Sequence, residues 1–150
     1  MMLKLKGSGG CPSGNGVSRK DVPAFAASLS SYTKTYKTNE SVLFDKVWAN
    51  IGNGYDASSG IFTAPKSGVY QFSCTIMRFK DSIKVHLFQN EKKTVAIYPG
   101  SGSLYIPGSL NIVLQVKKGD KVFIRNERNQ QIYSESGSQF SMFSGFMISN

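Results

Sequence analysis

Residues 69–77 alternate strictly between two kinds of side chain. Tyr70, Phe72, Cys74 and Ile76 share one parity, and Gln71, Ser73 and Thr75 share the other. A period of two over this length describes a β-strand with one buried face, not an amphipathic helix. The pattern recurs. Ile83, Val85 and Leu87 alternate with Lys84, His86 and Phe88. Leu110, Ile112, Leu114 and Val116 alternate with Asn111, Val113, Gln115 and Lys117. After a turn at Lys118-Gly119-Asp120, Val122 and Ile124 alternate with Phe123 and Arg125. Shorter strands are expected over 25–29, 42–51, 94–98 and 131–134, and a last one over 140–148. No segment has a helical period. About ten short strands, punctuated by Gly, Pro and Asn, predict an all-β sandwich or jelly roll.

Two features break the wet-outside, dry-inside rule of a sandwich. The last strand is apolar on both faces, with Phe146 and Ile148 on one, Phe143 and Met147 on the other, and Gly145 between. Phe88 and Phe123 stand on the polar side of their strands. Some second face is therefore expected to be covered, most simply by another copy of the chain.

The 150 residues are enough for one domain with a substantial core. Residues 1–20 read as a flexible arm containing the linker-like Gly7-Ser8-Gly9-Gly10, and residues 21–150 as the globular domain. No apolar run reaches the roughly eighteen residues of a membrane-spanning helix. Residues 1–6 lack the apolar stretch of a signal peptide, so a secretory leader, if the protein has one, is removed or replaced. The two cysteines do not make a disulfide framework. Cys74 reads as a small buried hydrophobe and Cys11 as a free or interchain thiol, with an intrachain bridge left open. Asn39-Glu40-Ser41 is the one N-glycosylation sequon.

Eighteen Lys and Arg against nine Asp and Glu give a net charge of +9. That balance favours acidic partners such as sulfated or sialylated glycans, anionic lipid headgroups or nucleic acid. The longest basic runs are the pairs Lys92-Lys93 and Lys117-Lys118. Nucleic-acid binders concentrate charge on one helix or stripe, so nucleic acid is not an expected partner, and neither is membrane insertion. Catalytic chemistry has little to work with. His86 is the single histidine, which with two distant cysteines is a poor zinc set. No nucleophile elbow occurs. Gly52-Asn53-Gly54 lacks the third glycine and helix of a dinucleotide fingerprint.

Several blocks together carry a resemblance. They are Phe25-Ala26-Ala27-Ser28-Leu29, Val42-Leu43-Phe44-Asp45-Lys46-Val47-Trp48-Ala49-Asn50-Ile51-Gly52 and Gly54-Tyr55-Asp56-Ala57-Ser58-Ser59-Gly60-Ile61-Phe62-Thr63-Ala64-Pro65-Lys66-Ser67-Gly68-Val69-Tyr70-Gln71-Phe72. To these are added Lys118-Gly119-Asp120-Lys121-Val122 and Phe143-Ser144-Gly145-Phe146-Met147. In this order they resemble the globular C1q domain over residues 22–149. The resemblance implies a ten-stranded jelly roll of the C1q and tumour-necrosis-factor type, assembled as a homotrimer. It implies that one sheet, holding the first, C, F and last strands, faces the neighbouring subunits. His86, Phe88, Phe123, Arg125, Phe143 and Met147 are the residues expected at that seam. Tyr70, Phe72, Leu114, Ile124 and Phe146 are expected in the core.

Many members of that family carry a collagen-like stalk, and the chain here is more similar to stalkless, secreted C1q-like proteins of bivalve molluscs. Some members bind calcium through aspartates shortly before the last strand. Here Glu135 is the one acid in that stretch, too thin a set for a cation that takes about six to eight oxygens. No metal or other cofactor is predicted. The resemblance implies no enzyme. It implies a secreted, lectin-like pattern-recognition protein of innate immunity that binds microbial or acidic glycans and lipopolysaccharide. Tyr98, Tyr105, Arg128, Asn129 and Tyr133 are the loop residues expected to contact a ligand. The alternatives are a cytokine-like or adhesive ligand for a protein receptor, and an extracellular or biomineral matrix protein.

Overall fold

The computed structural model describes residues 22–30, 33–79, 82–100, 102, 105–135 and 137–150. The expected arm, with Cys11, lies outside the described residues. The described chain contains strands and turns and no helix. The strands are β1 (Ala24–Ser28), β2 (Thr33–Tyr36), β3 (Lys46–Ile51), β4 (Tyr55–Asp56), β5 (Ile61–Thr63) and β6 (Gly68–Phe79). They continue with β7 (Val85–Gln89), β8 (Lys92–Ile97), β9 (Tyr105–Val116), β10 (Lys121–Asn126), β11 (Gln130–Tyr133) and β12 (Met142–Ser149). Twelve segments stand where about ten were expected, because β2 and the two-residue β4 are too short to show a period. The expected strand over 42–51 begins only at Lys46.

The strands form two antiparallel sheets. One runs β2-β11-β6-β12-β1-β3 with β9 on the other side of β6, and the second runs β4-β5-β10-β7-β8. The long strand β6 organises the first sheet. Its whole length pairs with β9, while its opposite side pairs with β12 and then with β11. Tyr70, Phe72, Cys74 and Ile76 all point into the core, as their alternation predicts, and are essentially inaccessible.

The core is a continuous aromatic stack. Phe25 lies 4.7 Å from Phe62, 4.9 Å from Phe143 and 5.0 Å from Tyr55 between ring centroids. Two buried tyrosines satisfy their hydroxyls on the backbone. Tyr55 donates to the Phe44 carbonyl at 2.7 Å and Tyr70 to the Lys66 carbonyl at 2.7 Å. Each buried ring of this size contributes about 1.5–3 kcal/mol of burial free energy.

Gly145 decides the orientation of β12. Its register partners are Phe25 on β1 and Phe72 on β6. A Cβ there would lie 2.5 Å from Phe72 Cδ1 and 2.7 Å from Phe25 Cε1. The two rings therefore close over a position that has no side chain. Since Gly145 faces inward, Phe143 and Met147 also face inward, at 0% and 7% exposure. Met142, Phe146 and Ile148 face outward. This corrects the expectation for this strand. Phe146, assigned to the core, is 46% exposed, and Phe143 and Met147, assigned to the subunit seam, belong to the core.

At Gly60 the constraint is conformational. Its φ is +74°, and a Cβ would stand 2.3 Å from the Val42 carbonyl oxygen. Gly60 thus lets the β4–β5 turn press against the chain entering β3.

Gly145→Ala is expected to lower stability by about 1–3 kcal/mol, the usual cost of overpacking a filled core. The measurement is the shift in urea midpoint. An unchanged midpoint would show that Phe25 and Phe72 do not pin β12.

Candidate functional site

Three surfaces differ in chemistry. The first is the outward face of the seven-stranded sheet. Val113 on β9 and Phe146 on β12 both stand opposite Gln71 of β6. They are 57% and 46% exposed. Ile148, Met142 and Trp48 continue the apolar surface. Trp48 lies across the sheet edge, donating from Nε1 to Ser28 Oγ at 2.8 Å, with Lys46 Nζ 4.4 Å from its ring. Further along the same face, Tyr105 and Tyr133 meet edge to face at 5.0 Å, and Phe140 stacks on Tyr133 at 6.0 Å. These rings, Met77 and Glu135 line a cavity of about 320 Å³. The Tyr133 hydroxyl donates to Glu135 Oε1.

The second surface is the outward face of the five-stranded sheet. His86, Phe88, Phe123 and Arg125 stand there, with Phe123 paired to Phe88 and Arg125 to His86. Their expected place was the seam of the sheet that holds the first and last strands. They lie on the other sheet. No second copy is needed to explain the two phenylalanines. Their rings stack at 5.5 Å and 10°, and the Arg125 guanidinium covers them at 4.5 and 5.0 Å. That leaves Phe88 and Phe123 only 7% and 5% exposed within one chain.

Beside this stack, Glu127 collects three bases. Lys93 Nζ is 2.5 Å from Oε1, Lys84 Nζ is 3.5 Å from Oε2, and His86 Nδ1 is 2.7 Å from Oε1. The last approach is a close contact without directed hydrogen-bond geometry. Burial holds His86 below its ordinary pKa. Glu127 pulls it upward, and Lys93 and Lys84 add to the lowering. Glu127 is in turn held below the usual carboxylate range, chiefly by the hydrogen bond from Lys93 and against the opposing effect of desolvation.

The third surface is one end of the sandwich, called distal here because β1 starts and β12 ends at the other. Buried Asn126 assembles it. Its Nδ2 donates to the carbonyls of Tyr36 at 3.2 Å, Lys37 at 3.0 Å and Arg128. Gln130 clamps Lys84, accepting from its N–H at 2.7 Å and donating to its carbonyl at 3.1 Å. Asn129 Oδ1 accepts from the Thr38 N–H at 3.0 Å. Arg128 lies 5.9 Å from the Tyr98 ring centroid and reaches Ser82 Oγ at 3.3 Å. Of the five expected ligand residues, the fold thus brings Tyr98, Arg128 and Asn129 to one end. Tyr105 and Tyr133 sit apart from them on the outward sheet face. Sequence reading missed Asn126 and Gln130, whose only signal was a polar residue at a core-parity position.

Asn39, of the sequon, is exposed in a turn with φ of 66°. Among the described residues no group of three or more His, Cys, Asp or Glu is placed to hold a metal ion. Cys74 is buried, and burial pushes its thiol well above the ordinary range.

The profile of the C1q domain matches residues 24–148. The chain belongs to the C1q domain family. Complement C1q tumor necrosis factor-related protein 6 of Mus musculus is 34% identical over 113 residues, covering 72% of this chain and 42% of that protein. Complement C1q tumor necrosis factor-related protein 3 of the same species is 34% identical over 128 residues, covering 83% and 50%. The chain therefore spans half or less of the length of these relatives. Among solved structures, the globular domain of zebrafish complement 1qA superposes with a TM-score of 0.70 at 21% identity, over 85% of this chain and 99% of that one. Eiger TNF from S. frugiperda superposes with a TM-score of 0.71 at 12% identity, over 87% and 94%. Both show the shared fold. The C1q domain accounts for the jelly-roll sandwich predicted from the alternating strands.

Two predictions follow from the site geometry. Asn126→Ala is expected to cost about 1–3 kcal/mol, because it strips buried carbonyls of their donor. The same variant should raise amide hydrogen exchange at residues 37–38 and 128–129; protection unchanged there would refute the organising role. The second prediction concerns acid. His86 and Glu127 both bind protons less readily in the folded domain than in the unfolded chain. Their stability contribution is therefore lost as pH falls, first below the ordinary histidine value of 6.5 and then below the ordinary glutamate value of 4.5. The melting temperature should drop between pH 7 and pH 5, and His86→Gln should flatten that drop.

Proposed function

We propose that this C1q domain is a secreted recognition protein that works as a homotrimer and binds acidic or microbial glycans through its distal end. The observation that carries the reading is the preassembled distal platform. Arg128 and Asn129 share one loop, held where buried Asn126 binds the Arg128 carbonyl and Asn129 accepts from the Thr38 N–H at 3.0 Å, and Tyr98 joins them from a second segment, its ring 5.9 Å from the guanidinium. An exposed guanidinium beside an exposed aromatic ring offers a charge for a carboxylate or sulfate and a face for a sugar ring. Preorganised loops lose little entropy on binding.

The trimer is supported by the outward face of the seven-stranded sheet. Val113, Phe146, Ile148 and Trp48 form an exposed apolar surface of the kind that a neighbouring subunit covers. Tyr105, Tyr133 and Phe140 extend it, which assigns Tyr105 and Tyr133 to the seam rather than to the ligand. Three distal platforms on one trimer would supply the avidity that single weak sugar sites need. No metal is assigned a part in this reading, and Glu135 is already engaged by Tyr133. Asn39 lies at the same end, so a glycan attached there would flank the platform.

A second reading, a ligand for a protein receptor, is favoured by the TNF-type neighbours and by the C1q/TNF-related proteins among the relatives. Receptor engagement of that kind would show as saturable cell binding that competing sugars leave intact.

The test is a glycan array with lipopolysaccharide, mannan and sialylated mucin, run with and without calcium. Arg128→Ala should lower binding to acidic glycans by about tenfold, the loss of one charge-assisted contact. A confirmed trimer that binds none of these would overturn the glycan reading. In light scattering, Val113→Glu combined with Phe146→Glu should shift the trimer mass to that of a monomer. A variant that stays trimeric would place the seam elsewhere.

A further inference from the structure

The end of the sandwich opposite the distal platform is chemically different. Three turns meet there, over residues 64–67, 89–92 and 117–121. They are locked to one another by the backbone. Ala64 N–H donates to the Asp120 carbonyl and Gly119 N–H to the Ala64 carbonyl, each at 2.9 Å. Asn90 N–H donates to the Lys121 carbonyl at 2.6 Å, and Lys121 N–H returns a bond to Asn90 Oδ1 at 2.9 Å. Lys118 N–H donates to Ser67 Oγ at 2.8 Å.

Five lysines lie on these turns: Lys66, Lys92, Lys117, Lys118 and Lys121. The four from Lys92 onward are exposed. The acids at this end are Glu91 and Asp120, and Asp120 is turned inward on the scaffold. Its Oδ2 accepts from the Lys117 N–H at 2.9 Å and from Gln89 Nε2 at 3.3 Å, and its Oδ1 from Asn90 Nδ2 at 3.1 Å. These hydrogen bonds, led by that from the Lys117 N–H, hold its carboxyl below the usual range. Among the described residues, Lys92, Lys117, Lys118 and Lys121 have no carboxylate within ion-pair distance; the ion pairs are gathered on Glu127. Asp120 offsets Lys117 in part, and the remaining positive charge at this end is displayed on a rigid base.

We infer that this lysine-bearing end is a second binding surface, separate from the distal platform, and that its partner is a sulfated polysaccharide. The choice among polyanions follows from what the turns lack. They contain no aromatic residue on which a nucleic-acid base would stack. They contain no large apolar side chain to enter a bilayer interface. Their cations are all lysines, compact point charges suited to sulfates spaced along a chain, without the planar guanidinium that reads phosphate bidentately. The surface is independent of the distal reading, because none of its residues takes part there.

The test uses the full chain and heparin as the probe, with binding measured across a salt series. Heparin is expected to bind with an affinity that falls steeply with salt. Lys118→Gln with Lys121→Gln should weaken it about tenfold at low salt and flatten the salt dependence. The arginine pair Lys118→Arg with Lys121→Arg should restore it. The charge-matched control Lys46→Gln with Lys84→Gln, on β3 and ahead of β7 and outside these turns, should leave it unchanged. Should the glutamine pair shift the urea midpoint, Lys92→Gln with Lys117→Gln serves as the second variant. Equal loss in the control would show bulk charge and overturn the surface. Binding to phosphatidylserine vesicles or single-stranded DNA as tight as to heparin would overturn the sulfated partner. A protein that fails on heparin but binds an array glycan through Arg128 would sink this inference and leave the distal reading standing.

Discussion

The packing of Phe25 and Phe72 over Gly145 is the contact on which the rest of the sandwich depends. Both rings come from strands that flank β12, and both occupy the space a side chain would need. The contact fixes the register of three neighbouring strands at one point and the parity of β12 along its length. Once Gly145 faces inward, Phe143 completes the aromatic stack with Phe25, Phe44 and Phe72. Phe146 is then forced outward. A one-residue slip would exchange the two faces and bring Phe146 against a core with no room for it.

The functional surfaces follow from that parity. The seven-stranded sheet shows an apolar outer face because β12 has large apolar residues on both parities and the core accepts only one set. The five-stranded sheet also carries outward phenylalanines, yet it is closed. Arg125 lies across Phe88 and Phe123, so the sheet covers its own apolar residues with a charged side chain. One sheet thus keeps an exposed apolar face and the other is finished within the chain. The two ends differ for a local reason. At the distal end, buried amides bind carbonyls of several loops and present Arg128 beside Tyr98. At the other end, Asp120 is consumed by the turns it organises, and the lysines around it are left facing solvent.

Much of the fold was legible because strand alternation is a local property. The faces of β6, β7, β9 and β10 are those read from residues 69–77, 83–88, 110–117 and 122–125. The blocks around Trp48, Gly54, Gly60 and Gly145 carried the family. Legibility failed where two readings of the same residues were equally apolar. In β12, the sequence Met142-Phe143-Ser144-Gly145-Phe146-Met147 offers a hydrophobic face either way, and the deciding atoms belong to Phe25 and Phe72. It failed again at Phe88 and Phe123, where apolar residues on a polar parity suggested a subunit contact. Their cover is Arg125, adjacent in the sheet and unrecognisable as a lid from its position in the chain. Asn126 and Gln130 were missed because a buried amide reads as an ordinary polar residue until its partners are placed around it.

What the sequence by itself determined is the class of structure. Period-two alternation, turn glycines and the order of family blocks leave an antiparallel sandwich as the one way to bury those faces. What the tertiary structure alone decided is which apolar and charged residues remain available for partners. Availability depends on contacts between residues far apart in the chain: Phe25 and Phe72 on Gly145, Asn126 on Tyr36, Asp120 on Asn90. Such contacts leave no periodic trace, because each is set by the packing of whole strands and not by the spacing of neighbours along one.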